Sequence, residues 1–145
     1  MSAQKGIRDH INADTDVTDL LINKYPMTTG GSQNPIFIGQ ELPHDAKLPA
    51  ILINDVTATA FDVRETPGSE WLVDVEVYDD KISNVERLER LAYAVRKSIN
   101  RATLTIPFHA DSCLCITDPP RTLTGPLRFP GRVIVCRVIA LEEDV

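Results

Sequence analysis

Between Glu70 and Asn100 the apolar residues change period once, from two to 3.6. In "EWLVDVEVYDD", Trp71, Val73, Val75 and Val77 point one way while Asp74, Glu76 and Tyr78 point the other. This alternation predicts a half-buried strand. Beyond "YDDKIS", Val85, Leu88, Leu91, Ala92, Val95 and Ile99 recur at helical spacing, within a stripe about 120° wide. They predict a helix from Ser83 to Ala102. Ser83 and Glu86 have capping-box spacing, Glu86 and Arg90 stand at i,i+4, and Arg96, Lys97 and Arg101 gather in the last turns, as the helix dipole prefers. Any fold for this chain has to seat a half-buried strand and an amphipathic helix on either side of one polar corner.

The flanking segments add partners for both. Ser2 to Asn12 predicts a short helix, weakened by Gly6, and the pattern restarts at "NADTDVTDLLINKY", where Asp14, Thr15 and Asp16 are candidate N-caps. "PIFIG" predicts a brief strand, and the prolines of "QELPHDAKLP" predict a loop. "AILINDVTATAFDVR" is one long strand or two, turned by "TPGS" into the Trp71 strand as a hairpin. Weak strands are expected near Thr103–Phe108 and Cys113–Thr117, then a loop from Asp118 to Gly131. The last strand, "RVIVCRVIALEE", is apolar on both sides. Val133, Val135, Ile139 and Leu141 lie on one side, and Ile134, Cys136, Val138 and Ala140 on the other. Either a helix covers each face, or another subunit seals one of them.

At 145 residues the chain has the size of one domain, expected to span 1–145. It can bury roughly 68–70 % of its unfolded surface without staples. The net charge of −6 argues against tight binding to nucleic-acid phosphates. The N-terminus lacks an apolar signal region, and no run approaches the roughly 18 apolar residues of a membrane span, so a soluble protein made inside the cell is expected.

Candidate chemistry is sparse. Asp79 and Asp80 are adjacent on an extended chain and so point apart, which disfavours one shared ion. Their simpler role is to end the strand and place negative charge ahead of the helix, so Asp79→Asn with Asp80→Asn is expected to cost no more than roughly 1 kcal/mol. Cys113 and Cys115 form C-x-C rather than a zinc knuckle, and buried cysteines acting as small hydrophobes are expected. His10, His44 and His109 have no ligand spacing and read as surface or loop histidines. "TTGGSQ" lacks phosphate-loop geometry, and no nucleophile elbow surrounds Ser69 or Ser112. No catalytic set, metal site or cofactor is therefore expected. The Pro-rich loop carries Arg121, Arg128 and Arg132, which would suit an anion site, but its length favours a segment reaching a neighbouring subunit.

The order of these elements, with "LPAILIND", "VDVEVYDD" and "SNVERLERLAYAVRKSI" as its most characteristic pieces, resembles the tail-terminator or tail-completion family of long-tailed bacteriophages and phage-like particles. The resemblance spans nearly the whole chain as a pattern of elements, and residues 102–129 carry no match. It implies an α+β fold: a mainly antiparallel sheet with a long amphipathic helix packed on one face and shorter N-terminal helices. It also implies a non-enzymatic, homo-hexameric ring that caps the tail tube, ends its polymerisation and offers a face to the head connector. DNA would slide through the lumen without being held, which suits an acidic protein. The candidate interface residues are Val133, Val135, Arg137, Ile139, Leu141, Arg121 and Arg128, and Val135→Asp should disturb assembly more than folding. A head-completion or neck protein and a small dimeric α+β ligand-binding domain are the alternatives.

Overall fold

Two long strands, β5 (Gly68–Tyr78) and β9 (Gly131–Leu141), pair antiparallel over their full length and form the spine of a computed structural model. The structure describes residues 2–26, 32–60, 67–80, 85–106, 109, 113–123 and 129–141. The other elements, in chain order, are α1 (Ser2–Asn12), α2 (Thr15–Thr18), β1 (Tyr25–Pro26), β2 (Ser32–Gln33), β3 (Ile36–Ile38), β4 (Ala50–Ala60), α3 (Val85–Ile99), β6 (Thr103–Leu104), β7 (Cys113–Thr117) and β8 (Arg121–Thr122). The main sheet has the order β3-β4-β5-β9-β7-β6, and β8 also pairs with β9. Only β3 with β4 is parallel among these pairs. Strands β1 and β2 form a separate small ladder.

The register explains why the helices take one side. In β5, Val73, Val75 and Val77 are fully buried, and their neighbours across the sheet include Ile51 and Ile53 of β4 and Ile134 and Cys136 of β9. Against them pack Ala3, Ile7 and Ile11 of α1, Val17 of α2, and Leu88, Leu91, Ala92, Val95 and Ile99 of α3 in a single core. Burying each of the larger aliphatic side chains is worth about 1.5–3 kcal/mol. This is an α+β fold with the long helix and the shorter N-terminal ones on one face of a mainly antiparallel sheet. The β4–β5 hairpin has the expected sense, with an irregularity between Ile53 and Val56.

Local chemistry sets the element ends. Asp14 caps α2, its side chain accepting from the Asp16 amide at 3.0 Å. Glu86 and Arg90 of α3 pair at 3.0 Å on the solvent side, whereas Ser83 and its expected capping box lie outside the described residues. The helix also ends short of Ala102. Arg101 turns into the left-handed region (φ 61°) and donates its amide to the Cys115 carbonyl at 2.6 Å, which moors the helix end to β7. A side chain in that conformation costs about 1–2 kcal/mol. Arg101→Gly should therefore raise the unfolding free energy by about 0.5–1 kcal/mol, after the extra entropy of an unfolded glycine is counted. A lowered urea midpoint would contradict this.

The polar corner differs from expectation. Asp79 does not merely set charge ahead of the helix. It is 1 % exposed, and its carboxylate takes two hydrogen bonds from Arg87 of α3, both at 2.6 Å. Asp79 also accepts from the Asp80 amide at 2.7 Å and donates its own amide to the Pro130 carbonyl at 3.2 Å. The hydrogen bonds from Arg87 bring α3 onto the end of β5, and burial there demands a paired charge. The pair holds the Arg87 guanidinium further above its already high range.

Candidate functional site

With α1, α2 and α3 on the core face, the opposite face of the sheet displays the other half of each strand. In β9, Ile134, Cys136, Val138 and Ala140 are buried in the core, while Val133, Val135, Ile139 and Leu141 are only half-buried and Arg137 is exposed. These five are the β9 candidates read from the sequence, and they share the outer face. Arg121 on β8 pairs with Val133 and is exposed. Arg128 lies outside the described residues.

Strand pairing brings in two residues that sequence reasoning missed. Leu72 of β5 and Ile116 of β7 both stand opposite Arg137, one on each side, and are 45 % and 39 % exposed. The signal for Leu72 was available, because it is an apolar residue at a position where the alternation calls for a polar one. Ile116 needed the pairing of β7 with β9, which no local pattern reveals. The guanidinium of Arg137 bridges to Glu70 at 3.1 Å, and Asp74 sits opposite Val135. The surface is thus an aliphatic patch with paired or isolated charges set into it. An exposed ion pair of this kind adds little stability, commonly 0–1 kcal/mol, and fixes direction instead.

Toward β3 the outer face closes around a buried acid. Glu76 is 8 % exposed, and its carboxylate accepts from Tyr78 Oη at 2.5 Å and from Asn54 Nδ2 at 2.6 Å. Gly131 makes this possible: a Cβ there would stand 2.8 Å from both the Tyr78 ring and Leu123 Cδ1. The glycine lets the ring lie against β9. Burial, and then the hydrogen bond and charge of Glu76, push the Tyr78 phenol above its ordinary value of 10.0. The folded state therefore holds the phenol proton more tightly than the unfolded chain does. The resulting stability is whole below pH 10 and falls as the pH rises from there through the higher folded-state value. Tyr78→Phe should flatten that alkaline loss, and near neutral pH it should cost about 1–2 kcal/mol by removing one donor from a buried carboxylate. Urea unfolding of both proteins at pH 8 and about pH 11 checks the sign.

Cys115 and Cys136 are buried on neighbouring strands, and their mutual hydrogen bond and burial keep the Cys136 thiol neutral, well above the usual thiol range. A neutral buried thiol is unreactive. The side chain of Cys113 lies outside the described residues. His10 is not a loop histidine: it sits on α1 and hydrogen-bonds the Ser98 carbonyl of α3 at 2.9 Å. His109 stacks edge-on against Trp71 at 5.1 Å between centroids. Among the described residues no group of three or more His, Cys, Asp or Glu side chains could hold one metal ion, and no helix is long and apolar enough to cross a membrane.

No family model matches the sequence, and no curated protein matches it. Among solved structures, a chain described as "Virion of native gene transfer agent (GTA) particle" is similar. The TM-score is 0.70 at 10 % sequence identity, with 98 % of this chain and 96 % of that chain covered. At that identity the likeness establishes a common fold.

Proposed function

We propose that the chain is a structural virion protein of a phage-like particle, assembling with copies of itself through the open sheet face. The observation that carries this reading is a fold shared almost end to end with a virion chain. The finer reading is a closed ring, on the order of six subunits, which needs a heterologous interface that closes after a fixed rotation. Val133, Val135, Ile139 and Leu141, with Leu72 and Ile116 beside them, would meet a different surface of the next copy. Arg137 and Arg121 would set the register at its rim. Such a ring caps the tail tube, ends its growth and presents a joining surface to the head connector, while DNA passes through its lumen. The role is binding, with no catalysed step.

Solution mass of the full chain, combined with negative-stain imaging, tests the proposal. A closed ring of about six copies supports it. A stable monomer at virion-like concentration, or a two-fold dimer, would reject it, and the dimer would favour a small ligand-binding domain instead.

A further inference from the structure

The far end of the β4–β5 hairpin leaves the layer of helices behind. Of the described β4 side chains, only Ile51 and Ile53 join the core that α1, α2 and α3 cover. After the irregularity between Ile53 and Val56, Ala58 stands opposite Trp71 and Ala60 opposite Ser69, on the core side of the sheet. Thr57 and Thr59 stand opposite Leu72 and Glu70, on the open side. All four β4 residues are exposed, so both sides of the strand are bare here. Its edge is bare as well. β3 pairs with β4 only at Ile51, Leu52 and Ile53, and Gln4 of α1 donates to the Asn54 carbonyl at 2.7 Å. Along residues 57–60 no described backbone group pairs with that edge. Exposed edges are commonly guarded by charge or proline, yet residues 56–60 ("VTATA") hold neither.

A head-to-tail contact needs two different surfaces on one chain. The aliphatic patch around Val135 and Ile139 lies on the open face, and Ala58 and Ala60 lie on the opposite side of the same sheet. These four side chains are uncharged, and uncharged surfaces are where copies of a chain with net −6 can meet. We infer that the far end of this hairpin lies across the open face of the next copy, with Ala58 and Ala60 against Val135 and Ile139. The inference rests on the ring reading above and supplies the second surface that a ring requires. Two alanines let the hairpin backbone come close to the branched side chains of the patch. Arg121, exposed beside Val133, brings donors to the carbonyls of the bare edge. Because the two surfaces face opposite ways, each copy uses one of them on each neighbour until the ring closes.

Sedimentation of full-length variants over a concentration series is the test. Ala58→Glu should weaken ring formation at least about tenfold, the cost of an unmatched charge in an interface. The urea midpoint of the monomer should not move, since the position is exposed. Combining Ala58→Glu with Val135→Lys should recover at least about tenfold over Val135→Lys alone, because the two new charges then meet across the contact. Within one monomer these positions lie on opposite sides of the sheet, so recovery reports contact between copies. Tyr93→Glu adds the same charge on α3, where the side chain is exposed, and should recover nothing. Ala60→Glu with Val135→Lys decides the matter if Ala58→Glu perturbs the fold. The inference is overturned, with the ring reading intact, if rings form and both alanine variants assemble like the unaltered chain. It is equally overturned if neither combined variant assembles better than Val135→Lys alone. A monomer or a two-fold dimer from the unaltered chain rejects the ring itself and this contact with it.

Discussion

Arg87→Ala is expected to destabilise the chain by about 3–5 kcal/mol, far beyond what a surface arginine contributes. The asymmetry of burial sets the size: the Asp79 side chain is 1 % exposed and that of Arg87 33 %. Removing the arginine strands a carboxylate in the core with only the Asp80 amide as a described donor. Asp79→Asn should cost less, about 1–3 kcal/mol, because Arg87 can turn partly to water and the amide oxygen keeps one acceptor. That still exceeds the roughly 1 kcal/mol expected for a charge that only faces a helix dipole. Replacing both, as Asp79→Leu with Arg87→Met, should recover most of the loss, since a buried pair adds little over apolar residues of similar volume. Urea unfolding measures all three, with an unchanged m-value required for the comparison. A cost below about 1 kcal/mol for Arg87→Ala would show that the pair opens in solution.

The second large effect is expected in assembly. Val135 is half-buried on the open face and stands opposite Asp74 on β5. Aspartate at this position, the substitution suggested by the sequence alone, would set two like charges across one strand pair and confuse folding with assembly. Val135→Lys is cleaner, because the new ammonium can meet Asp74 within the monomer while it puts a charge into the interface. The monomer should keep its unfolding midpoint to within about 0.5 kcal/mol. Ring formation should weaken by at least about a hundredfold, the cost of desolvating an unmatched charge in an interface core. Sedimentation over a concentration series separates the two. If Val135→Lys unfolds the monomer, the residue is core and the outer face is not the interface. If the rings persist unchanged, the copies meet through another surface.

The contrast between these two cases shows what was legible in the residues. Strand β5, helix α3 and the two-sided character of β9 follow from periodicity, because each buries a regular stripe. The one-sided layering follows in part: β9 announces two apolar faces but not which one the helices take. Asp79 could not be read at all. Its partner Arg87 is eight positions on, across a corner whose geometry no pairwise spacing rule encodes. β8 was hidden for a related reason, since two residues in a Pro-rich segment become a strand only because β9 offers them an edge. The Glu76 cluster was missed because a polar residue on the polar side of a strand carries no mark of burial. The Gly131 that admits the Tyr78 ring comes from a different strand.

The position of β9 has a consequence for synthesis. It pairs with β5 along one edge and with β7 and β8 along the other, yet it follows all three in the chain. Until residues 131–141 leave the ribosome, β3-β4-β5 and β6-β7 are two fragments with bare facing edges and a core open on one side. Such edges recruit other chains. The domain should therefore close in one late step, and a nascent chain halted before Gly131 should be a substrate for chaperones rather than a folding intermediate with half its stability.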